Sequence, residues 1–207
     1  MNFKEPAQGR KSAYYLRNRL ALISAAQQVL AEKGPDTNLE DVANAAGMAV
    51  STIYKHFAGR EEMVQVALLE AMHEWERDTF ATFSESDEPL KQLVAPMKAF
   101  LQLKRTHPLI AQLVTKNREV AFRMAPITSA NLLAHVKRLT KSGELKIDNP
   151  ELRTRNVIAC LSSALEDHLM NPKSSEKENL QALVIALGML GIDEAKASKL
   201  LLPGSPV

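Results

Sequence analysis

Apolar residues recur along most of the chain at the three- and four-residue spacing of an amphipathic helix. In residues 12–32, Leu16, Leu20, Ile23 and Leu30 fall on one such face. Similar helical patterns cover residues 38–46, 50–57, 59–83, 90–106, 108–124, 126–141, 151–170, 175–191 and 193–202. No segment alternates apolar and polar residues as a half-buried strand would. The pattern therefore predicts an all-α protein of about nine or ten helices.

Residues 38–57 predict two short helices joined by a tight turn. Thr37 and Glu40 have the spacing of a capping box, in which each side chain accepts a hydrogen bond from a backbone amide of the other residue. Gly47 is expected to end the first helix, because glycine readily adopts the positive φ of a helix terminus. The short connection that follows leads directly into the second helix.

The second helix of this pair presents small polar and basic side chains outward. Its outward positions are Ala49, Ser51, Thr52, Lys55 and His56. Short side chains allow a helix to approach the major groove closely, and serine and threonine can bond to several base edges. The pair therefore matches a helix-turn-helix with its reading helix. The alternative is a glycine turn in a small helical domain that does not bind DNA.

This stretch resembles the DNA-binding signature of the TetR family of bacterial transcriptional regulators. The similarity is carried by LAEKG, LEDVANAAG and STIYKHF, followed by Arg60 and an acidic pair. It covers about the first third of the chain. The resemblance implies a helix-turn-helix DNA-binding domain at residues 12–60, continued by the start of the fourth helix to about residue 77. Residues 61–207 would then form a regulatory ligand-binding and dimerisation bundle.

The resemblance also implies roles for single residues of this domain. Tyr54, Lys55 and His56 stand where family members bind phosphates, and Arg60 stands where the family more often has lysine. Thr37 is placed either to reach a phosphate or only to cap the helix. Three alternatives remain open at this stage: Tyr54 could belong to the core, Lys55 could be a solvated lysine, and His56 could pack under the first helix.

Charge is unevenly distributed along a chain whose formal net charge is only +2. Residues 1–60 hold eight Lys and Arg against five Asp and Glu, which gives +3. Residues 61–207 hold eighteen against nineteen, which gives −1. A basic end on a nearly neutral body suits attraction to DNA phosphates. Residues 1–11 are expected to be a disordered arm that either follows DNA or is simply a solvated tail.

Composition narrows the class further. The chain has 207 residues, of which 45% are hydrophobic and 24% charged, as in an ordinary globular protein with a buried core. No apolar run approaches the ~20 residues of a membrane span, and no secretory signal is present, so a cytoplasmic protein with no membrane partner is expected. The single cysteine, Cys160, excludes an internal disulfide. Histidine and cysteine spacing predicts no metal site, and no cofactor is expected.

A single reading helix contacts too few base pairs for genomic specificity. This predicts a homodimer on a palindromic DNA operator, with reading helices about 34 Å apart. Residues 175–191 are apolar almost all round, which marks a helix buried on more than one side. By resemblance, this helix and the preceding one form a four-helix dimer interface, whereas the alternative is a monomer core. The predicted interface residues are Val157, Leu161, Leu165, Leu183, Leu187 and Leu190.

The resemblance further implies a small-molecule effector of unknown identity, bound among the middle helices. A ligand that prefers the DNA-incompetent arrangement would weaken operator binding by its differential affinity. Apolar residues at helical spacing are more often plain core, which is the alternative for each candidate. The candidate ligand-binding residues are Trp75, Met97, Phe100, Leu101, Phe122, Met124, Asn131 and His135.

Together these patterns predict a dimeric transcriptional repressor that a small molecule releases from DNA. The alternative is a nucleoid- or division-associated DNA binder of the same fold without an effector. An all-α enzyme is a third class, but no Ser/His/Asp, Cys/His or metal constellation in the sequence indicates catalytic residues.

Overall fold

The computed structural model describes residues 7–81, 88–171 and 173–201, with side chains from residue 12 onward. Within these ranges it contains helices and no strand, so the all-α prediction is confirmed. The helices are α1 (Ala7–Lys33), α2 (Leu39–Ala45), α3 (Val50–Ile53), α4 (Arg60–Phe80), α5 (Pro89–Leu101), α6 (Leu103–Thr106), α7 (Pro108–Lys116), α8 (Arg118–Thr128), α9 (Ala130–Ser142), α10 (Pro150–Met170), α11 (Glu176–Met189) and α12 (Glu194–Leu201). No helix in the described ranges is both long enough and apolar enough to cross a membrane.

Helices α1 to α3 and the start of α4 form an N-terminal unit, here called the head. The first helix begins at Ala7, which corrects the expected arm over residues 7–11; residues 1–6 lie outside the described ranges. Leu22 and Leu30 of α1 are buried in the head, but Leu16 and Leu20 are 57% and 56% exposed. The predicted apolar face of this helix is therefore wrong at its N-terminal end, where α1 extends past the elements it packs on.

The cap of α2 lies one residue later than predicted. The Asn38 side chain accepts a hydrogen bond from the Asp41 amide at 2.8 Å, and the Asp41 carboxylate accepts one from the Asn38 amide at 3.2 Å. Thr37 does not cap, because its buried hydroxyl donates to the Val29 carbonyl oxygen at 3.3 Å. The acidic residue of this box also pairs with Lys33 at 2.6 Å, which ties α2 to the end of α1.

The remaining helices, together with most of α4, form the body. Two predicted helices are each divided: residues 90–106 become α5 and α6, and residues 108–124 become α7 and the first part of α8. The second division occurs at Asn117, whose side chain bonds back to the Leu113 carbonyl oxygen and competes with the regular helical path. Pro126 lies inside α8 and does not open the next helix as predicted.

Helices α10 and α11 pack against each other and supply much of the body's core. All six predicted interface residues, five on these helices and Leu190 directly after α11, are no more than 4% exposed within a single chain. A side chain buried in its own subunit has no surface to offer a partner, so the sequence prediction for these positions is corrected in favour of the monomer core. The six are Val157, Leu161, Leu165, Leu183, Leu187 and Leu190.

Candidate DNA-binding and ligand-binding sites

The reading helix α3 is shorter than predicted, because the chain leaves helical geometry after Ile53 and passes through a turn. Ala49 occupies its N-cap position and provides no side-chain hydrogen bond. Ala49 and Ser51 are exposed, while Thr52 is half-buried. The small side chains expected to face base edges are therefore accessible in whole or in part at the surface of the head.

The turn after α3 presents Tyr54 and Lys55 to solvent. The Tyr54 side chain is 59% exposed, which argues against a core role for it. Lys55 is also exposed and makes no salt bridge within the described part of the chain. An aromatic hydroxyl and a lysine at the edge of a reading helix are suited to phosphate contacts, which fix a protein's register on DNA.

His56 lies behind this surface. Its ring is buried, its centroid is 4.3 Å from that of Tyr15, and its Nδ1 has no hydrogen-bond partner among the described residues. Burial lowers the pKa of His56, and the charges of Arg19 and Lys55 lower it further. The His56 side chain packs against α1, which was the alternative considered from the sequence, and the predicted phosphate contact through its ring is not available in this conformation.

Two residues that the sequence analysis missed hold the turn after α3 in place. The Arg19 guanidinium donates to the His56 carbonyl oxygen and lies 4.8 Å from the ring centroid of Phe57. The Tyr15 hydroxyl donates to the Lys55 carbonyl oxygen at 3.5 Å. Tyr15 and Arg19 are four residues apart on α1, a spacing that places both on one face and was the available signal.

Arg60 and Thr37 are engaged with each other inside the head. Arg60 Nε donates to the Thr37 carbonyl oxygen and Arg60 Nη2 to the Pro35 carbonyl oxygen, both at 2.7 Å. The Thr37 side chain is 1% exposed. In this conformation the arginine fastens the turn between α1 and α2, and the threonine side chain cannot reach a phosphate. The burial of Thr37 corrects the phosphate contact predicted for its side chain, whereas the contact implied for the half-buried Arg60 stays a prediction.

A large cavity lies in the body between α4, α5, α7, α8, α9 and α10. Its volume is about 1280 Å³. Leu101, predicted to bind ligand, does not line it and instead borders a separate cavity of about 220 Å³. The other predicted ligand residues all line the large cavity: Trp75, Met97, Phe100, Phe122, Met124, Asn131 and His135.

Aromatic side chains form one wall of this cavity. Trp75 and Phe100 meet edge to face, with ring centroids 5.9 Å apart and planes at 75°. Met97 and Met124 are buried beside the cavity, whereas Phe122 is largely exposed. A deep apolar wall and an accessible aromatic side chain describe a pocket suited to an organic molecule.

Polar side chains are distributed around the same cavity. His135 Nε2 donates to the Pro89 carbonyl oxygen at 3.1 Å, and its Nδ1 accepts from Arg138 at 3.2 Å. Burial is the main cause that lowers the pKa of His135. Glu76, which the sequence analysis missed, accepts from Asn131 Nδ2 at 3.0 Å, and burial raises the pKa of its carboxyl.

The outer faces of α10 and α11 carry exposed apolar side chains. Ile185 is 57% exposed, and Leu152, Leu180 and Met170 are exposed as well. These positions lie on the same helices as the buried leucines but on different faces, since α11 is apolar on nearly all sides. The structure therefore offers an apolar surface on the two helices expected to dimerise, through residues other than the predicted ones.

These features define a helix-turn-helix protein with a cavity-containing helical body. Residues 22–67 match the family model described as bacterial regulatory proteins, tetR family. This similarity to the tetR family covers most of the head and the first residues of α4.

Two curated relatives, both from Pseudomonas putida, share the N-terminal region. The chain is 38% identical over 86 residues to the probable HTH-type transcriptional regulator ArpR of that species. It is 37% identical over 86 residues to the HTH-type transcriptional regulator TtgR. Each match covers 41% of this chain and 40% of the relative, so the chain matches about two-fifths of the length of these relatives.

Solved structures resemble most of the chain. RolR in complex with resorcinol has a TM-score of 0.76 at 16% identity, and the match covers 95% of this chain and 98% of RolR. FadR from Bacillus subtilis in complex with stearoyl-CoA has a TM-score of 0.66 at 18% identity, covering 84% of this chain and 98% of FadR. At such identities the likeness establishes the fold alone.

Proposed function

We propose that this protein is a sequence-specific DNA-binding transcriptional regulator, a repressor that binds a palindromic operator as a homodimer and is released by a small molecule. One observation carries the proposal: α4 reaches both candidate sites. It begins at Arg60, which is bonded to the turn between α1 and α2, and it contributes Trp75 and Glu76 to the cavity. A ligand that changes the position of α4 therefore changes the position of the head.

In this proposal the head, residues 12–60 with the start of α4, reads the operator. Ala49, Ser51 and Thr52 approach base edges, while Tyr54 and Lys55 bind phosphates. Because Tyr15 and Arg19 hold the turn after α3 from behind, Tyr54 and Lys55 project from a fixed backbone.

The body, residues 61–207, supplies dimerisation and regulation. The exposed apolar faces of α10 and α11 support a two-fold interface, in which the same surface of each subunit meets its counterpart. RolR and FadR were each solved with a bound small molecule, which supports an effector in the cavity here. The cavity also favours this function over that of a DNA binder without an effector. The cytoplasm, where DNA is accessible, is the proposed location.

The proposal is tested by DNA-binding titrations of the purified protein at a stated salt concentration. Labelled DNA from upstream of the protein's own gene is compared with a shuffled sequence of equal length and composition. We expect a preference of about a thousandfold or more for the upstream DNA, and affinity that falls as salt rises. Equal affinity for both DNAs would exclude a sequence-specific regulator of its own promoter region.

A further inference from the structure

The arginines of the body cavity already have partners. Arg118 Nη1 lies 3.0 Å from a carboxylate oxygen of Glu166, and Arg123 Nη2 lies 3.4 Å from one of Glu61. Arg138 donates to His135 Nδ1 and, at 3.4 Å, to the Gln92 side-chain oxygen. Arg138 thus bonds to neutral groups, whereas the charges of Arg118 and Arg123 are offset by carboxylates.

Glu76 is in the opposite situation. It is a half-buried carboxylate on α4, and its hydrogen-bond donor is the neutral Asn131 amide. No Lys, Arg or His nitrogen in the described ranges forms a salt bridge with it; His73, one turn earlier on α4, acts on it only through its charge. A partly buried carboxylate without a cationic partner is costly, and burial accordingly raises the pKa of Glu76.

Aromatic side chains line the same cavity as Glu76. Trp75 precedes it on α4, and the edge-to-face pair of Trp75 and Phe100 lines the same cavity. Aromatic faces attract cations through the ring quadrupole, and a carboxylate supplies the countercharge. Buried methionines beside the aromatic pair provide adaptable apolar contacts for the rest of a molecule.

We propose that the body cavity binds an organic cation, an amine or onium group on a bulky apolar body. The cationic group pairs with Glu76, and the apolar part packs against Trp75, Phe100 and the methionines. The statement that this cation is the effector rests on the proposed function. The statement that the cavity selects a cation does not depend on that function. Because Glu76 bonds to Asn131 on α9, a cation at this carboxylate acts on a contact between α4 and α9.

Trp75 is the chain's single tryptophan, so its fluorescence reports directly on the cavity. The full-length protein is titrated with tetraphenylphosphonium and, separately, with tetraphenylborate, two ions of the same shape and opposite charge. We expect the cation to bind about tenfold tighter or more, as a charge-assisted pair with Glu76 predicts. Equal affinity, tighter binding of the anion, or no binding of the cation would overturn the proposal.

Two matched variants test whether the negative charge of Glu76 attracts the cation. Glu76→Gln keeps the shape of the side chain and should weaken cation binding about tenfold, while it leaves the affinity for the anion unchanged or raises it. Glu74→Gln removes the same charge from an exposed residue of the same helix that does not line the cavity, and should change cation binding less than about twofold. Equal effects of the two substitutions, or full cation affinity in Glu76→Gln, would contradict the role of Glu76.

The comparison of the two ions uses the unaltered protein, so it does not depend on whether either variant folds. Thermal unfolding measurements check that both variants are folded. DNA titrations with and without tetraphenylphosphonium separate this inference from the proposed function. If the protein selects the cation but does not recognise its upstream DNA, the proposed regulatory function is wrong and the proposed cation site stands. Operator binding together with no cation preference would remove only the cation site.

Discussion

The Asn117 side chain donates a hydrogen bond to the carbonyl oxygen of Leu30 at 3.2 Å, across the boundary between body and head. The same amide group donates to the Leu113 carbonyl oxygen of α7 at 2.9 Å. Asn117 is only 5% exposed, and α8, which lines the cavity, begins at the next residue. A change at the cavity wall therefore has a second route to the head, besides α4.

Asn117→Ala is expected to destabilise the protein by about 1–3 kcal/mol, because the Leu30 carbonyl oxygen loses a buried side-chain donor that water cannot easily replace. The Leu113 carbonyl oxygen keeps the Asn117 backbone amide as a donor. Denaturant unfolding measures this change. If α8 is coupled to the head through this residue, the variant should also show a smaller effect of bound ligand on DNA affinity.

Lys116→Ala is the control for that variant. Lys116 Nζ also joins body to head, donating to the Glu32 carbonyl oxygen at 2.6 Å, but the side chain is exposed. Water replaces such a bond at little cost, so a loss below about 0.5 kcal/mol is expected. Comparable losses in the two variants would show that burial of the Asn117 amide does not matter.

The helix-turn-helix could be predicted because its signals are local. Gly47 has a φ of 64°, as expected for a glycine that ends a helix, and Ile53 and Phe57 are buried as their spacing indicates. The contacts that the sequence did not predict depend on partners far away in the chain. Tyr15 and Arg19 reach residues about forty positions later, and neither spacing nor composition near His56 reveals those contacts.

The prediction of the interface residues was wrong for a different reason. Leu183 and Ile185 are both apolar residues of α11, yet one is buried in the core and the other is largely exposed. A helix that is apolar all round carries no periodic signal for which side faces its own chain. The cavity residues were more predictable, since aromatic and methionine side chains were the largest apolar groups on the helices that surround it.

Ile185→Glu should shift the protein from dimer to monomer, because the exposed Ile185 lies on the apolar outer face proposed for the interface. A charge without a partner at a buried interface costs several kcal/mol, of the order of 3–5 per subunit. Sedimentation velocity over a range of protein concentrations measures the shift.

Ile127→Glu provides the comparison for the interface variant. Ile127 is exposed to a similar extent but lies on α8, outside the proposed interface. The Ile127→Glu variant should remain dimeric at concentrations where the Ile185→Glu variant is monomeric. A dimer that survives Ile185→Glu would place the interface on another surface.

The double substitution Tyr54→Ala and Lys55→Ala should abolish operator binding while leaving a folded dimer. Both side chains are exposed, so their removal costs little stability, about 0.5 kcal/mol or less each. Loss of a phosphate contact should also reduce the salt dependence of any residual binding. Anisotropy titrations at several salt concentrations measure both quantities.

Lys199→Ala is the control for this double variant. It removes an exposed lysine from α12, at the other end of the sequence from the head. It should bind the operator as the unaltered protein does. Full operator affinity in the double variant would move the reading surface away from the turn after α3.

The buried ring of His56 makes stability depend on pH in a defined direction. Its pKa in the folded protein is lowered from the ordinary value of 6.5, first by burial and then by Arg19 and Lys55. Between the two pKa values the unfolded chain binds more protons than the folded one, so stability rises with pH. The contribution is fully present above pH 6.5 and is lost as the pH falls through the folded pKa.

His56→Phe keeps a ring against Tyr15 and removes both the titrating group and the unpartnered Nδ1. Denaturant unfolding from about pH 8 to pH 5 should therefore show a smaller acid loss in the variant, by up to about 1.4 kcal/mol per pH unit for one proton. Some loss persists, because burial also lowers the pKa of His135. Above about pH 7.5 both proteins should have parallel stability profiles, since the imidazole is then neutral in both states. Identical acid loss in the two proteins would mean that His56 is protonated as easily in the folded head as in the unfolded chain.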